Sequence, residues 1–111
     1  MRLSPSRFRR FAIRAVATAA AFGAFSTNAQ SPPAKLGLCA ACHGERGIAT
    51  TPATPNLAAQ NLVYLRSALQ QYKSGARDVA AMRAAVSMLG EAEAEQVLQW
   101  YAAQAPKSPA P

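Results

Sequence analysis

The sequence is poor in the side chains that bind metals and carry out thiol chemistry. Its 111 residues contain two cysteines, one histidine and three methionines. A structural zinc site needs about four ligands, so the cysteines and the histidine together cannot complete one. The sequence also lacks a convincing strand pattern, which argues against the βαβ surroundings of a thioredoxin-like thiol pair.

All the cysteine and histidine residues fall within one motif, Cys39-Ala40-Ala41-Cys42-His43. C-x-x-C-H is the attachment sequence of c-type haem. On a helix, residues three and four apart share a face, so two thiols can bond the porphyrin from the same side as the imidazole. The sequence therefore predicts one covalent haem, attached to Cys39 and Cys42, with His43 as a ligand of its iron.

The sequence has no apolar run of the roughly 20 residues that a membrane-spanning helix needs. Its N-terminal run, residues 12–25, is shorter, overlaps a cluster of arginines and precedes small residues at Thr27 and Ala29. This pattern predicts a secretory signal peptide over residues 1–29, cleaved before Gln30, and export to the periplasm. An uncleaved N-terminal membrane anchor is the alternative.

Acidic residues are few, five against twelve lysines and arginines, which gives a formal charge of +7. Five of the arginines lie in the predicted leader, and the remaining chain carries seven basic and five acidic residues, a net charge of +2. Two haem propionates would bring this charge to about zero. The high isoelectric point therefore gives no reason to expect nucleic-acid binding.

The chain that remains after cleavage, residues 30–111, has 82 residues. We expect one domain over residues 30–105 and a disordered, proline-rich tail over residues 106–111. A domain of this size buries only a marginal core, and no cysteine is left for a disulfide. A large apolar macrocycle would supply the missing centre, which is a second reason to expect the haem.

Apolar residues recur with helical spacing, which predicts an all-α fold. A loop is expected over residues 44–60, where glycine, proline, threonine and asparagine are frequent. Tyr64 and Tyr72 are expected to pack in the core. The predicted helices cover residues 34–43, the stretch between an Asn61 cap and Gly75, residues 79–89 up to Gly90, and a last helix from Glu91 that buries Val97, Leu98 and Tyr101.

A six-coordinate haem iron needs a second ligand opposite His43, and the sequence has no second histidine. Outside the leader, Met82 and Met88 are the candidates. A thioether is a soft ligand that suits haem iron and raises its reduction potential. Either methionine could equally fill a gap in the core, so the residue types alone leave both open.

Residues 39–104 resemble the small class I cytochromes c, near the single domains of cytochrome c4 and the c5 and c553 types. The resemblance implies three or four short helices wrapped around one haem. The matching stretches are CAACHG at 39–44, TPNLAAQ at 54–60, YL at 64–65, YKSGAR at 72–77, Met82, and WYAAQ at 100–104.

The resemblance also implies roles for particular residues. By the family's spacing, Met82 rather than Met88 is the second iron ligand. The carbonyl of Pro55 holds the other nitrogen of His43, and Arg77 lies near a propionate, although an ordinary surface arginine is an equal alternative.

Two features of the chain depart from the family's pattern. Ala59 stands where the family often has glycine. The first helix is also short, which leaves Gly37 as the counterpart of the glycine at which the family's C-terminal aromatic helix crosses.

The sequence therefore indicates an exported monohaem electron-transfer protein. It shows no acid–base pair and no activated nucleophile, so we expect neither an enzyme nor a small-molecule substrate. Redox proteins that dock at the haem edge are the expected partners. Two alternatives stay open: a dedicated cytochrome subunit of a periplasmic dehydrogenase or oxidase, and a haem sensor in which Met82 leaves the iron free to bind a ligand.

Overall fold

The computed structural model describes residues 17–21, 23 and 30–110, and these residues form helices and irregular segments without strands. The all-α prediction is therefore confirmed. Of the predicted signal peptide, residues 1–29, all but residues 17–21 and 23 lie outside the described residues. The four helices are α1 (Gly37–His43), α2 (Leu62–Ser74), α3 (Ala80–Ser87) and α4 (Glu91–Ala102).

None of the helices in the described part of the chain has the length and hydropathy required to cross a membrane. Residues 105–110 have no regular secondary structure. The domain boundaries and the tail stay predictions.

Helix α2 begins and ends as its sequence predicts. The Asn61 side chain accepts a hydrogen bond from the Tyr64 backbone N–H at 3.1 Å, which satisfies a free donor of the first turn. Gly75 ends the helix in the left-handed conformation, with φ of 81°, and its N–H donates to the Tyr72 carbonyl. Leu65 and Ala68 form the buried face.

Helix α1 is shorter than predicted. Residues 34–36 form a turn, in which the Leu36 N–H donates to the Pro33 carbonyl at 3.0 Å. The first bond of α-helical spacing near this end runs from the Ala40 N–H to the Leu36 carbonyl at 2.9 Å. The prediction that the helix starts at Ala34 is therefore wrong by three residues.

Helix α3 is also shorter than the predicted residues 79–89. Val79 has an extended backbone, with φ of −120° and ψ of 109°, so it precedes the helix. At the other end, the N–H groups of Met88 and Leu89 donate to carbonyls three residues earlier, which tightens the chain into a turn. The helix therefore ends at Ser87, before the predicted stop at Gly90.

Helix α4 supplies the largest part of the core. Glu93 accepts a hydrogen bond from the Gly90 N–H at 3.0 Å and so caps the helix that the acidic first turn predicts. Arg66 of α2 forms an ion pair with Glu95 of α4, and its Nε donates to Glu95 Oε2 at 2.9 Å. The principal buried cluster consists of Leu36, Leu65, Val97, Leu98, Trp100 and Tyr101.

The two aromatic residues of α4 bond to the chain just after α1. Trp100 Nε1 donates to the Glu45 carbonyl at 2.7 Å, and the Tyr101 hydroxyl donates to the Gly44 carbonyl at 2.9 Å. A buried aromatic side chain with a polar tip needs such a partner, and both tips find one. These bonds fix the end of α4 against the segment that follows the haem-attachment motif.

The close approach to α4 occurs at Gly47 rather than at Gly37. A Cβ on Gly47 would lie 2.5 Å from the Ala58 nitrogen and 2.9 Å from Tyr101 Cδ1. A Cβ on Gly37 would have no neighbouring atom within 4 Å. The expectation that Gly37 admits the aromatic helix is therefore wrong, because the chain leaves no room for a Cβ at Gly47, in the loop after α1, and leaves open space at Gly37.

Candidate functional site

Cys39, Cys42 and His43 lie on α1 and line one cavity of about 410 Å³. Their spacing of three and four residues places them on the same face of the helix. Cys39 is half-buried, Cys42 is exposed, and both are free cysteines. Burial raises the pKa of the Cys39 thiol, because the low-dielectric surroundings disfavour the thiolate.

His43 is held by a single hydrogen bond to the loop. Its side chain is 6% exposed, and its Nδ1 lies 2.8 Å from the Pro55 carbonyl oxygen. A carbonyl oxygen only accepts, so Nδ1 carries the proton in this pair and Nε2 of the neutral ring keeps its lone pair. The structure thus brings His43 and Pro55 together and leaves one imidazole nitrogen available as a ligand.

The loop that carries Pro55 is anchored by backbone bonds. The N–H groups of Leu57 and Ala58 donate to the Gly47 carbonyl at 2.8 and 3.1 Å, and the Ala59 N–H donates to the Tyr101 carbonyl at 3.1 Å. These bonds connect residues 55–59 to the segment after α1 and to α4. The 44–60 loop therefore forms an ordered wall of the cavity, and the bonds of its neighbours fix the position of Pro55.

The other walls of the cavity are mostly apolar. Helix α2 and helix α3 each present one side to it, and Leu98 of α4 borders it as well. This lining suits a flat apolar macrocycle, whereas a bare metal ion would require polar ligands. The apolar lining from the two helices includes Leu65, Ala68, Leu69, Ala85 and Val86.

The two candidate methionines differ in position. Met82, in α3, is half-buried and lines the cavity together with His43. Met88 follows the end of α3, is 62% exposed and is not among the residues that line the cavity. The structure therefore places one soft sulfur, that of Met82, beside the space that His43 borders.

Arg77 also lines the cavity, where it is surrounded by polar and aromatic groups. Its Nε donates to Gln71 Oε1 at 2.7 Å, and its guanidinium carbon lies 5.7 Å from the Tyr64 ring centroid and 5.6 Å from that of Tyr72. Both distances are in the range of cation–π contacts. A hydrogen bond with Tyr64 raises the pKa of Arg77 further, so its charge is permanent.

Three residues around Arg77 were not predicted from the sequence to belong to the site: Tyr64, Tyr72 and Gln71. Both tyrosines are expected in the core, but both border the cavity, where Tyr64 is 47% exposed and Tyr72 is half-buried. Gln71 has no feature in the sequence that marks it as a partner of an arginine six residues later. The helical spacing of apolar residues in α2 predicts a face buried in the protein core, although part of that face borders the cavity.

The donor atoms of the cavity agree with a haem and not with a zinc ion. Within residues 17–21, 23 and 30–110, no group of three or more Cys, His, Asp or Glu side chains is arranged to hold a metal. Two thiols, an imidazole with a free nitrogen and a thioether instead border one apolar space. A c-type haem is attached by two cysteines and takes a histidine as an iron ligand, the porphyrin supplies four more ligands, and a thioether suits the remaining position.

The chain is similar to two curated c-type cytochromes. It is 33% identical to cytochrome c-554(548) of Halomonas halodenitrificans over 73 residues, which cover 63% of this chain and 88% of that protein. It is 31% identical to cytochrome c4 of Pseudomonas aeruginosa over 77 residues, which cover 69% of this chain and 38% of that protein. No protein-family model matches the chain.

Proposed function

The chain belongs to the class I c-type cytochromes, and from that premise we propose that it carries single electrons in the periplasm through a His43/Met82-ligated haem. Its cofactor is covalent haem c. The haem supplies the one-electron couple between ferrous and ferric iron. The protein's residues attach the group, supply its axial ligands and keep water away from it.

Cys39 and Cys42 attach the haem through thioether bonds. Both thiols are free and border the cavity, three residues apart on one helical face. This arrangement allows a single helical turn to hold the porphyrin edge at two points. Cys39 would hold the haem from a half-buried position and Cys42 from an exposed one.

The hydrogen bond between His43 Nδ1 and the Pro55 carbonyl is the observation that carries the proposal. It fixes the ring's tautomer and leaves Nε2 as a ligand on a side chain that borders the cavity. A carbonyl acceptor on the far nitrogen also raises the basicity of the ligating nitrogen. A histidine buried only for packing would also need a partner for its N–H, but it would not need a second nitrogen beside an apolar cavity, as an iron ligand does.

Met82 would supply the second protein ligand of the iron. Met82 is half-buried and lines the cavity, whereas Met88 is exposed and does not line it. A thioether stabilises ferrous iron and raises the reduction potential. The identity of the axial ligands is among the strongest influences on potential, which varies by about 0.8 V across haem proteins.

Arg77 would bind a haem propionate. Its permanent charge lies at the cavity, and the bond from its Nε to Gln71 holds it at 2.7 Å. A guanidinium can bind a carboxylate with two parallel hydrogen bonds. Arg77 would thereby offset the negative charge of a propionate that the apolar walls cannot solvate.

Redox proteins are the partners we propose, and they dock where the cavity opens. Contacts of electron-transfer proteins are usually small and transient, which suits a carrier that must exchange partners. Export by the signal peptide would bring the chain to the periplasm, where a haem c can be attached. No residue of the site is arranged for substrate chemistry in this proposal.

Paired methionine variants test this function. Met82→Ala should abolish the far-red charge-transfer band between sulfur and ferric iron, allow carbon monoxide to bind the reduced protein, and lower the reduction potential. Met88→Leu is the matched control, since it removes the other thioether from an exposed position and nearly conserves volume. It should leave the spectrum and the potential unchanged.

Other outcomes would redirect the proposal. If Met88→Leu removes the band and Met82→Ala does not, Met88 is the ligand. If neither variant changes the spectrum and the wild-type protein binds carbon monoxide at neutral pH, the iron has no methionine ligand. The ligand-binding sensor would then describe the protein better than the electron carrier.

A further inference from the structure

Tyr101 is the most completely buried large side chain of the described residues, with an exposed fraction of 0%. Its hydroxyl is not a spare polar atom, because it donates to the Gly44 carbonyl at 2.9 Å. Gly44 directly follows His43 in the chain. The hydroxyl of Tyr101 therefore restrains the backbone one residue away from the histidine.

The main chain of Tyr101 restrains the loop segment that carries Pro55, the hydrogen-bond partner of His43. Its carbonyl accepts a hydrogen bond from the Ala59 N–H at 3.1 Å. Ala59 lies four residues after Pro55, whose carbonyl is bonded to His43 Nδ1 at 2.8 Å. One residue of α4 is thus bonded to both chain segments that the bond between His43 and Pro55 joins.

We propose that Tyr101 is a positioning residue for His43, because its hydroxyl and carbonyl together set the separation of the Gly44 segment and the 55–59 loop. The inference rests on the proposed function, in which His43 is an iron ligand. It adds that the reduction potential depends on a tyrosine outside the cavity lining. Burial raises the pKa of Tyr101, so the hydroxyl stays a donor at every physiological pH.

The direction of the effect follows from the basicity of the ligand. A strong bond from His43 Nδ1 to the Pro55 carbonyl gives the imidazole partial imidazolate character, which favours ferric iron. Loss of the Tyr101 hydroxyl loosens the Gly44 segment and weakens that bond. The weaker donor then favours ferrous iron, so the reduction potential rises.

Tyr101→Phe in the haem-loaded protein tests the proposal, since it removes one oxygen and keeps the buried ring. We expect a higher reduction potential and solvent exchange of the His43 Nδ1–H that is about 2- to 10-fold faster by NMR, as loss of one hydrogen bond implies. Val97→Ala is the matched control. Val97 lies one turn earlier in the same buried face of α4 and does not line the cavity, so its truncation should lower stability without either change.

A measurement on the wild-type protein avoids any dependence on how the variant folds. The Ala59 amide should be protected from hydrogen exchange and should open with the same free energy as the His43 ring N–H, since Tyr101 restrains both. The proposal would be overturned if the Ala59 amide exchanged without protection while the His43 ring N–H stayed protected.

The proposal would also be overturned if Tyr101→Phe lowers stability as Val97→Ala does, while the potential and the ring N–H exchange match wild type. Tyr101 would then be a core residue only. This failure is distinct from failure of the proposed function, in which the wild-type protein itself would lack the spectrum of a histidine- and methionine-ligated haem.

Discussion

Ala59 should be replaceable by glycine with a gain in stability. Its φ is 58°, and it is the one non-glycine residue with positive φ in the part of the chain that the structure describes. A Cβ in the left-handed conformation costs roughly 1–2 kcal/mol, and glycine loses about 0.5–1 kcal/mol more backbone entropy than alanine. Since the Ala59 side chain is exposed, little packing is lost. Ala59→Gly should therefore stabilise the fold by about 0.5–1 kcal/mol, which raises the melting temperature by about 2–8 °C.

Denaturant unfolding of the ferric haem protein, followed by circular dichroism, measures this difference. Gly75→Ala is the control in the reverse direction. Gly75 has φ of 81° and open space around an added Cβ, so only the conformational cost applies. Stability should fall by about 1 kcal/mol. Gly37→Ala has open space and no positive φ, so it should not destabilise. If Ala59→Gly unfolds no later than wild type while Gly75→Ala shows its loss, the reasoning about position 59 is refuted.

Two further predictions concern the packing and charge of α4. Gly47→Ala should lower the free energy of unfolding by on the order of 3 kcal/mol or more in a denaturant titration. The added Cβ would overlap Ala58 and the Tyr101 ring, and the φ of 78° disfavours alanine. A loss below about 1 kcal/mol would contradict the close approach. The hydrogen bond from Arg66 lowers the pKa of Glu95 from its usual 4.5 to about 2. The stabilisation from this pair is therefore fully present above about pH 4.5 and is lost as the pH falls towards 2. Glu95→Gln should therefore flatten the stability profile over that interval, and an unchanged acid slope would show that the pair contributes nothing.

The helix boundaries that local signals determine were predicted well. Asn61 and Gly75 bound α2 as their residue types indicate, and the acidic start of α4 is where the sequence places it. The start of α1 and both ends of α3 were not predicted correctly. The N–H groups of Leu36, Met88 and Leu89 donate to carbonyls three residues earlier, and apolar periodicity cannot distinguish such turns from helix. Val79 is extended and precedes α3.

In the candidate site, too, the residues marked by a local sequence pattern were predicted and those held by distant contacts were not. The C-x-x-C-H motif is local, so Cys39, Cys42 and His43 could be identified from the sequence. The Tyr101 hydroxyl bonds to a residue 57 positions earlier, and no local pattern signals that contact. The expectation that Tyr64 packs in the core is wrong, because its residue type favours burial but does not indicate whether the side chain lies in the core or borders a cavity.

The mass of the intact mature protein tests the central claim most directly. The protein should be expressed with a cytochrome c maturation system, exported, denatured and measured by mass spectrometry, with a Cys39→Ala/Cys42→Ala variant as the control. The account predicts a mass equal to the chain from near Gln30 plus one haem, which persists under denaturing conditions, and no such adduct on the variant. A wild-type mass equal to the polypeptide alone would contradict it.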